Sequence, residues 1–350
     1  MRILVFALMA MSACCACASE AGDRDRHAVI LLYHHVSADT PPSTSVTPDR
    51  FEAHLDWLDD NGFRVWPLQR VLAAVLEGVE PVPDDVVAIT FDDAYQSVRD
   101  EAHPRLSARG WPYSVFVNSD AIDAGQAPYM DWDTLRELAD SGVGIGNHSA
   151  AHAHMAAPRD GESRRDWRRR TRADLARSHA RIVDELGLEP LIFAYPYGED
   201  SPELAGIVAD RYPYALVQRS GAVGPLTDPH AIPRFPMATG FAETERLALA
   251  VESRPLPVRD TTVAFDGDRG DVDWVRLTLG DNGFRSGALG CYSGGGEALG
   301  FERESDDPLR IRVDVDGIGR PGRNKINCTA PASDGSGDFY WHSYQWRIEP

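Results

Sequence analysis

Short, almost continuous apolar runs recur along the first two thirds of the chain: Val29–Tyr33, Val86–Phe91, Tyr113–Val117, Val143–Asn147, Leu191–Tyr195, Ala215–Val217 and Ile232–Phe235. Runs of this length with little polar alternation mark strands covered on both faces. Between them the spacing turns helical. The clearest case is Asp174–Leu186, where Leu175, Ile182, Val183 and Leu186 share a face and Gly187 ends the helix. Such alternation over roughly 230 residues predicts a parallel α/β unit, either a barrel or an open sheet. Near Pro255-Leu256-Pro257 the pattern changes. Gly, Asp and Ser become frequent, and period-two runs such as Val272–Leu279 and Leu309–Val315 predict an appended antiparallel β-sandwich. The expected organisation is an α/β domain over 27–256 and an all-β domain over 258–350.

The first residues follow a different logic. Arg2, the apolar run Ile3–Met11 and the small residues after it have the order of an export leader. Two processing sites fit. Ala16-Cys17-Ala18 is an A-x-A site that would end a leader at residue 18, whereas Met11-Ser12-Ala13-Cys14 has the form of a bacterial lipobox. The second would leave Cys14 lipidated and tether the chain to a membrane. Either route implies a periplasmic, envelope-associated or secreted protein. Export also gives the cysteines a meaning: Cys291 and Cys328 are the only ones beyond the leader region. In an oxidising compartment they form a disulfide, the alternative being two buried thiols. No later run reaches the roughly 20 apolar residues of a membrane span. The formal charge of −19 argues against nucleic acid as a partner.

Candidate chemistry clusters just after the apolar runs. His34-His35 follows Tyr33, Asp92-Asp93 follows Phe91, His148 follows Asn147, Tyr197-Gly198 follows Tyr195-Pro196, and Arg234 lies within the Ile232 run. In a barrel of parallel strands these ends open on one face, where such folds build active sites. Adjacent aspartates repel, so a buried pair calls for a cation or a division of roles, and a solvated turn is the alternative. His148 and His152 are four residues apart, a spacing that directs both imidazoles to one side of a helical turn. Two histidines with one aspartate match a three-ligand metal site with an open position for water.

In this order, Thr90-Phe91-Asp92-Asp93, His148-Ser149-Ala150-Ala151-His152 and Tyr195-Pro196-Tyr197-Gly198 resemble the polysaccharide deacetylases of the NodB-homology class, carbohydrate esterase family 4. Leu32-Tyr33-His34-His35, Tyr95-Gln96-Ser97 and the continuation to Glu199 look more like the branch acting on poly-β-1,6-N-acetylglucosamine. The resemblance implies a distorted (β/α)7 barrel with one divalent ion held by Asp93, His148 and His152. Mixed oxygen and nitrogen ligands suit zinc, with cobalt, iron or manganese as alternatives. It further implies Asp92 as general base, His34 as general acid and the Tyr197 backbone N–H as oxyanion donor. The substrate would be an acetylated polysaccharide, cleaved at N-acetyl groups. An O-acetyl esterase and a catalytically idle glycan-binding protein are the rival readings.

Three departures stand out. The glycine usual after the paired aspartates is Ala94. Phe193-Ala194-Tyr195 replaces a segment in which many relatives carry an arginine that orients the base, which makes Arg234 the candidate substitute. No late Leu-x-His motif is evident, which favours His34 as acid. Elsewhere, the basic run Arg164 to Arg170 suits a solvated helix start or an anionic glycan. Asp133 suits a helix cap or dipole partner, and Tyr340, Trp341, Tyr344 and Trp346 suit a sandwich core, a domain interface or a sugar platform.

Overall fold

Strand β1 (Val29–Tyr33) is buried at every position, because helices cover one side of its sheet and neighbouring barrel side chains the other. The computed structural model describes residues 26–266, 271–280 and 283–348; the leader, both processing sites and Cys14 lie outside the described residues. After β1 come β2 (Arg64–Val65), β3 (Val86–Phe91), β4 (Ser114–Val117), β5 (Gly144–Asn147), β6 (Ile192–Ala194), β7 (Tyr214–Leu216) and β8 (Phe235–Pro236). They pair in parallel in the order β8-β1-β3-β4-β5-β6-β7, with β2 beside the start of β3. The run expected at Ile232–Phe235 does more than form a strand. Val217 donates to the Ile232 carbonyl at 2.9 Å, and Met237 donates to the Leu32 carbonyl at 2.8 Å, so this segment joins both edges of the sheet. The result is a distorted β/α barrel.

The helix expected from Asp174 begins at Arg164, because Trp167 and Thr171 extend the buried stripe of Leu175, Ser178 and Ile182 toward the N-terminus. Ser163 caps it, and Gly187 ends it at φ 66°. The basic run is a solvated helix start whose charges are met locally. Arg164 and Arg168 pair with Glu203, Arg169 with Asp166, and Arg170 with Glu162. At the helix Trp132–Asp140 the cap is Asp131, which accepts from the Thr134 N–H at 2.8 Å; Asp133 instead pairs with Arg136.

Beyond the barrel, β9 (Ser253–Pro255), β10 (Val258–Asp266), β11 (Asp271–Leu279), β12 (Gly290–Ser293), β13 (Ala298–Leu299), β14 (Phe301–Asp306), β15 (Leu309–Asp314), β16 (Gly322–Pro331) and β17 (Phe339–Ile348) form two sheets. Their orders are β9-β17-β16-β12-β13 and β10-β11-β15-β14. Alternating burial along β15 and β16 points Ile311, Val313, Ile326, Cys328 and Ala330 into a shared core. Cys291 on β12 lies opposite Cys328 on β16, their sulfurs 2.05 Å apart. The C-terminal aromatics divide between two tasks. Tyr340 and Trp346 fill the sandwich core, whereas Trp341 packs edge-on against Phe235 of the barrel at 5.5 Å. β9 runs parallel to β17, so the chain leaving the barrel becomes an edge of the second domain.

Candidate active site

Backbone conformation assembles the site. Among the described residues, five other than glycine have φ in the left-handed region: Asp93, Ala94, Ser149, His152 and Tyr197. All five lie in the loops that follow β3, β5 and β6. Such backbone costs an L-residue roughly 1–2 kcal/mol and clusters where side chains must be aimed.

After β3 the chain turns at Asp93 (φ 73°) and Ala94 (φ 56°), which directs the two aspartates differently. Asp92 is fully buried and meets Arg234 in two parallel hydrogen bonds of 2.7 Å each. Arg234 also donates to the Val217 carbonyl at 3.1 Å and to the Thr90 hydroxyl at 3.3 Å. Burial alone would push the Asp92 carboxyl up, but the paired Arg234 guanidinium outweighs it and holds the group well below the usual carboxylate range. Asp93 has no such partner, and burial pushes it up to about 6.

The loop after β5 is irregular. His148 and His152 therefore do not share a helical turn, and a built loop brings them together instead. Asn147 accepts from the Ser149 N–H at 2.7 Å, and Ser149 Oγ accepts from the His152 N–H at 3.0 Å. The Asp174 carboxylate, reaching in from the long helix, accepts from Ala150 and Ala151 at 2.9 and 3.2 Å. The imidazole rings end 4.9 Å apart. His148 donates its Nδ1–H to the Ala194 carbonyl at 2.7 Å, which leaves Nε2 as a lone pair. Burial lowers its pKa to about 3, so the ring is neutral.

Asp93, His148 and His152 present ligand atoms within 4.8 Å of one another. Asp93 Oδ1 and His148 Nε2 are buried 3.6 Å apart, and neither makes a hydrogen bond. Two buried acceptors facing each other without a donor are unfavourable unless a cation joins them. The donor set, two imidazole nitrogens and a carboxylate, fits a divalent metal.

His34 and Tyr197 border this triad. Gln218 Nε2 lies 3.4 Å from His34 Nε2 and 3.4 Å from Asp92 Oδ2, which places the His34 ring beside the buried carboxylate. Burial lowers the His34 pKa. Gln218 is not among the residues that the sequence singles out, although it directly follows the Ala215–Val217 run and obeys the same strand-end rule. Tyr197 (φ 60°) lies in the turn Pro196–Gly198, its ring stacked on His154 at 4.1 Å and edge-on to His152 at 4.6 Å. Gly198 cannot carry a side chain, because a Cβ there would lie 2.3 Å from Gln218. His35, the neighbour of His34, stacks on Tyr95 at 3.5 Å. A cleft of about 1120 Å³ opens over the triad, walled on one side by His34, Tyr95 and Tyr197 and on the other by Arg320, Arg323 and Lys325 of the β domain.

Fold and site together define a β/α barrel with a buried aspartate–arginine pair beside an Asp-His-His ligand group. Residues 80–215 match the family described as "Polysaccharide deacetylase", and the chain carries a polysaccharide deacetylase domain related to poly-β-1,6-N-acetylglucosamine N-deacetylases. The Bacillus subtilis (strain 168) protein YxkH is 24% identical over 216 residues, 61% of this chain and 72% of its own. The poly-β-1,6-N-acetyl-D-glucosamine N-deacetylase of Escherichia coli (strain K12) is 24% identical over 208 residues, 49% of this chain. That match takes in 30% of the E. coli enzyme's length. Among solved structures, the Streptococcus pyogenes deacetylase PplD in complex with acetate superposes with a TM-score of 0.58 at 20% identity, covering 65% of this chain and 99% of that one. This last likeness concerns the fold.

Proposed function

We propose that the protein is a metal-dependent hydrolase that removes N-acetyl groups from an N-acetylhexosamine polysaccharide of the cell envelope or biofilm matrix. The observation that carries this reading is the pair of buried, unpartnered acceptors, Asp93 Oδ1 and His148 Nε2, beside a carboxylate that Arg234 keeps ionised. Asp93, His148 and His152 would hold the divalent ion, most simply zinc, which would supply Lewis-acid polarisation of the acetyl carbonyl and acidify the attacking water.

The chain's own residues then divide the work. Asp92 accepts a proton from water attacking the acetyl carbon. The ion pair keeps its carboxylate ionised and therefore free to accept a proton, and the paired Arg234 nitrogens fix its orientation. The Tyr197 N–H, in a turn with left-handed backbone, donates to the oxyanion as negative charge develops there. His34, on the cleft wall, acts in its protonated form and delivers that proton to the nitrogen as the carbon–nitrogen bond breaks, because an amine leaves poorly unless protonated; the ring then regains a proton from solvent before the next turnover. The leader expected at residues 1–18, or lipidation at Cys14, would deliver the enzyme to the envelope where such polymers lie.

The test is acetate release by purified, metal-loaded protein from β-1,6- and β-1,4-linked N-acetylglucosamine oligomers and from acetylated xylooligomers. The expected result is a higher kcat/KM on an amide substrate. A xylan value above both amide values would replace this reading with the esterase. Metal-replete protein that binds glycan and releases no acetate would replace it with the idle binding protein.

A further inference from the structure

Among the described residues, side chains of the β domain reach the turn after β6 at three successive positions, and Arg347 also lies 3.2 Å from His154. Arg323 Nη1 donates to the Tyr197 carbonyl, Gln345 Nε2 donates to the Gly198 carbonyl at 3.1 Å, and Arg347 Nη1 pairs with Glu199 at 2.7 Å. Three consecutive residues of the turn after β6 are therefore held by side chains from β16 and β17, more than 120 residues away in sequence. Glu199 is buried and also meets His154 at 2.7 Å, the ring on which Tyr197 stacks.

These contacts are not what fastens the two domains together. β9 already pairs with β17, Trp341 packs against Phe235, and Ser343 Oγ donates to the Ser220 carbonyl at 2.6 Å. The turn itself has the opposite problem. Tyr197 and Gly198 both lie in the left-handed region, at φ 60° and 65°, and within the turn the backbone bonds are Gly198 N–H to Tyr195 O at 2.8 Å and Glu199 N–H to Pro196 O at 3.3 Å. A strained peptide keeps one orientation only when its surroundings over-determine it. Drawing the Tyr197 and Gly198 carbonyls toward the β domain fixes the planes of the Tyr197–Gly198 and Gly198–Glu199 peptides. The Tyr197 N–H belongs to the preceding peptide, Pro196–Tyr197, whose carbonyl accepts from the Glu199 N–H at 3.3 Å, so holding residues 197–199 restrains it through that bond.

We infer that Arg323, Gln345 and Arg347 are positioning residues for the deacetylase reaction: the β domain holds the Tyr197–Glu199 turn in the conformation that presents the Tyr197 N–H to the reacting acetyl group. The inference rests on the function proposed above for its kinetic consequence, but not for its structural one. None of the three side chains needs to touch the acetyl group, so their loss acts on kcat more than on KM. A small displacement of a positioned group costs up to about 100-fold in rate.

The experiment uses the full-length, metal-loaded protein and the variants Arg323→Ala, Gln345→Ala, Arg323→Lys and the double variant Arg323→Ala/Gln345→Ala. Two readouts are taken together, hydrogen exchange across residues 195–201 and acetate-release kinetics. The expected result is faster exchange in that segment with unchanged metal content, and a kcat lowered about 10–100-fold in the double variant with KM within about threefold of wild type. Arg323→Lys, which can still donate to the Tyr197 carbonyl, recovers part of both effects. Unchanged exchange over 195–201 in the double variant overturns the inference whether or not the wild type turns over. Faster exchange with an unaltered kcat overturns its catalytic half. A wild type that releases no acetate removes the proposed function instead, while exchange still decides whether the turn is held from the β domain.

Discussion

Both domains turn the chain through left-handed backbone, but among the described residues only the barrel does so with residues other than glycine. In the β domain, the described residues with left-handed φ are all glycine: Gly283, Gly296, Gly317, Gly322, Gly335 and Gly337. In the barrel, five residues with side chains adopt that region, and Asp93, His152 and Tyr197 among them are the ones that face the cleft. A sandwich turn needs only to reverse the chain, and glycine does so without steric cost. The barrel uses glycine in the same way at Gly187 and Gly198, but at Asp93 and His152 the left-handed backbone carries a side chain that it aims at the ligand group, and there strain is accepted. Under the proposed function, left-handed residues that carry side chains mark the site more sharply than burial does, since Asp92 and His54 are both fully buried.

The comparison breaks most decisively if the strained barrel residues serve folding alone. Asp92→Asn should retain metal and lose about 10²–10⁴-fold in turnover, whereas Asp93→Asn should lose metal and turnover together. Metal analysis beside acetate release checks this. Equal metal loss in both variants would make Asp92 a ligand and erase the division of labour that the turn at Asp93 creates.

Arg234 tests the same pocket through stability. Arg234→Met leaves the Asp92 carboxylate buried without its bidentate partner, and breaking such a pair costs about 3–5 kcal/mol. Denaturant unfolding of the metal-free protein should show this loss, and adding Asp92→Asn should recover part of it. A single variant as stable as wild type would mean that the pair does not hold Asp92 in the charged form.

The core of the β domain is crossed by a covalent tie. Cys291 and Cys328 enclose a loop with a sequence separation of 37, so cross-linking should stabilise that domain by about 2–5 kcal/mol. Reduction should lower the unfolding midpoint while the metal content of the triad stays constant. Two alkylatable thiols in unfolded, non-reduced protein would eliminate the bridge, and metal loss on reduction would show that the domains are not independent in this respect.

Strand ends and their chemistry are legible in the sequence because burial on both faces writes continuous apolar runs, and polar residues that follow such runs are conspicuous. Asp92, Asp93, His148, Tyr197 and His34 all obey that rule, and the structure brings them together around one cleft. Gln218 obeys it too, yet a glutamine after a strand carries no distinctive chemistry. The spacing of the two histidines imitates a helical turn where the chain forms an irregular loop. The shape of that loop depends on Asp174, whose place on a helix gives no hint that its carboxylate caps a distant segment. The long helix starts earlier than its apolar pattern suggests because Thr171 and Ser178 are polar yet buried, which interrupts the stripe that marks a helix face. Contacts from Arg323 and Gln345 are illegible for a simpler reason: nothing local in β16 or β17 says which face meets the barrel.

The smallest expected effect is the most direct probe of the contrast between the domains. Ala94 is fully buried at φ 56°, whereas Gly296 has φ 88° and open space, with no atom within 4 Å of the point where a Cβ would stand. Ala94→Gly removes a left-handed penalty of about 1–2 kcal/mol, but the entropy lost on ordering glycine takes back roughly 0.5–1 kcal/mol and the loss of a buried core methyl roughly 0.8 kcal/mol more. The terms nearly cancel, so its stability should stay within about 1 kcal/mol of wild type with turnover retained. Gly296→Ala meets no clash, so its cost of about 1 kcal/mol is the backbone penalty alone. Denaturation midpoints of the two variants, measured side by side, should show a clear fall only for Gly296→Ala. If Ala94→Gly lowered stability by the full methyl and entropy terms, about 1.5 kcal/mol, while Gly296→Ala left it unchanged, the turn after β3 would be relaxed rather than strained, and the left-handed residues of the barrel would lose their meaning as a signature of the site.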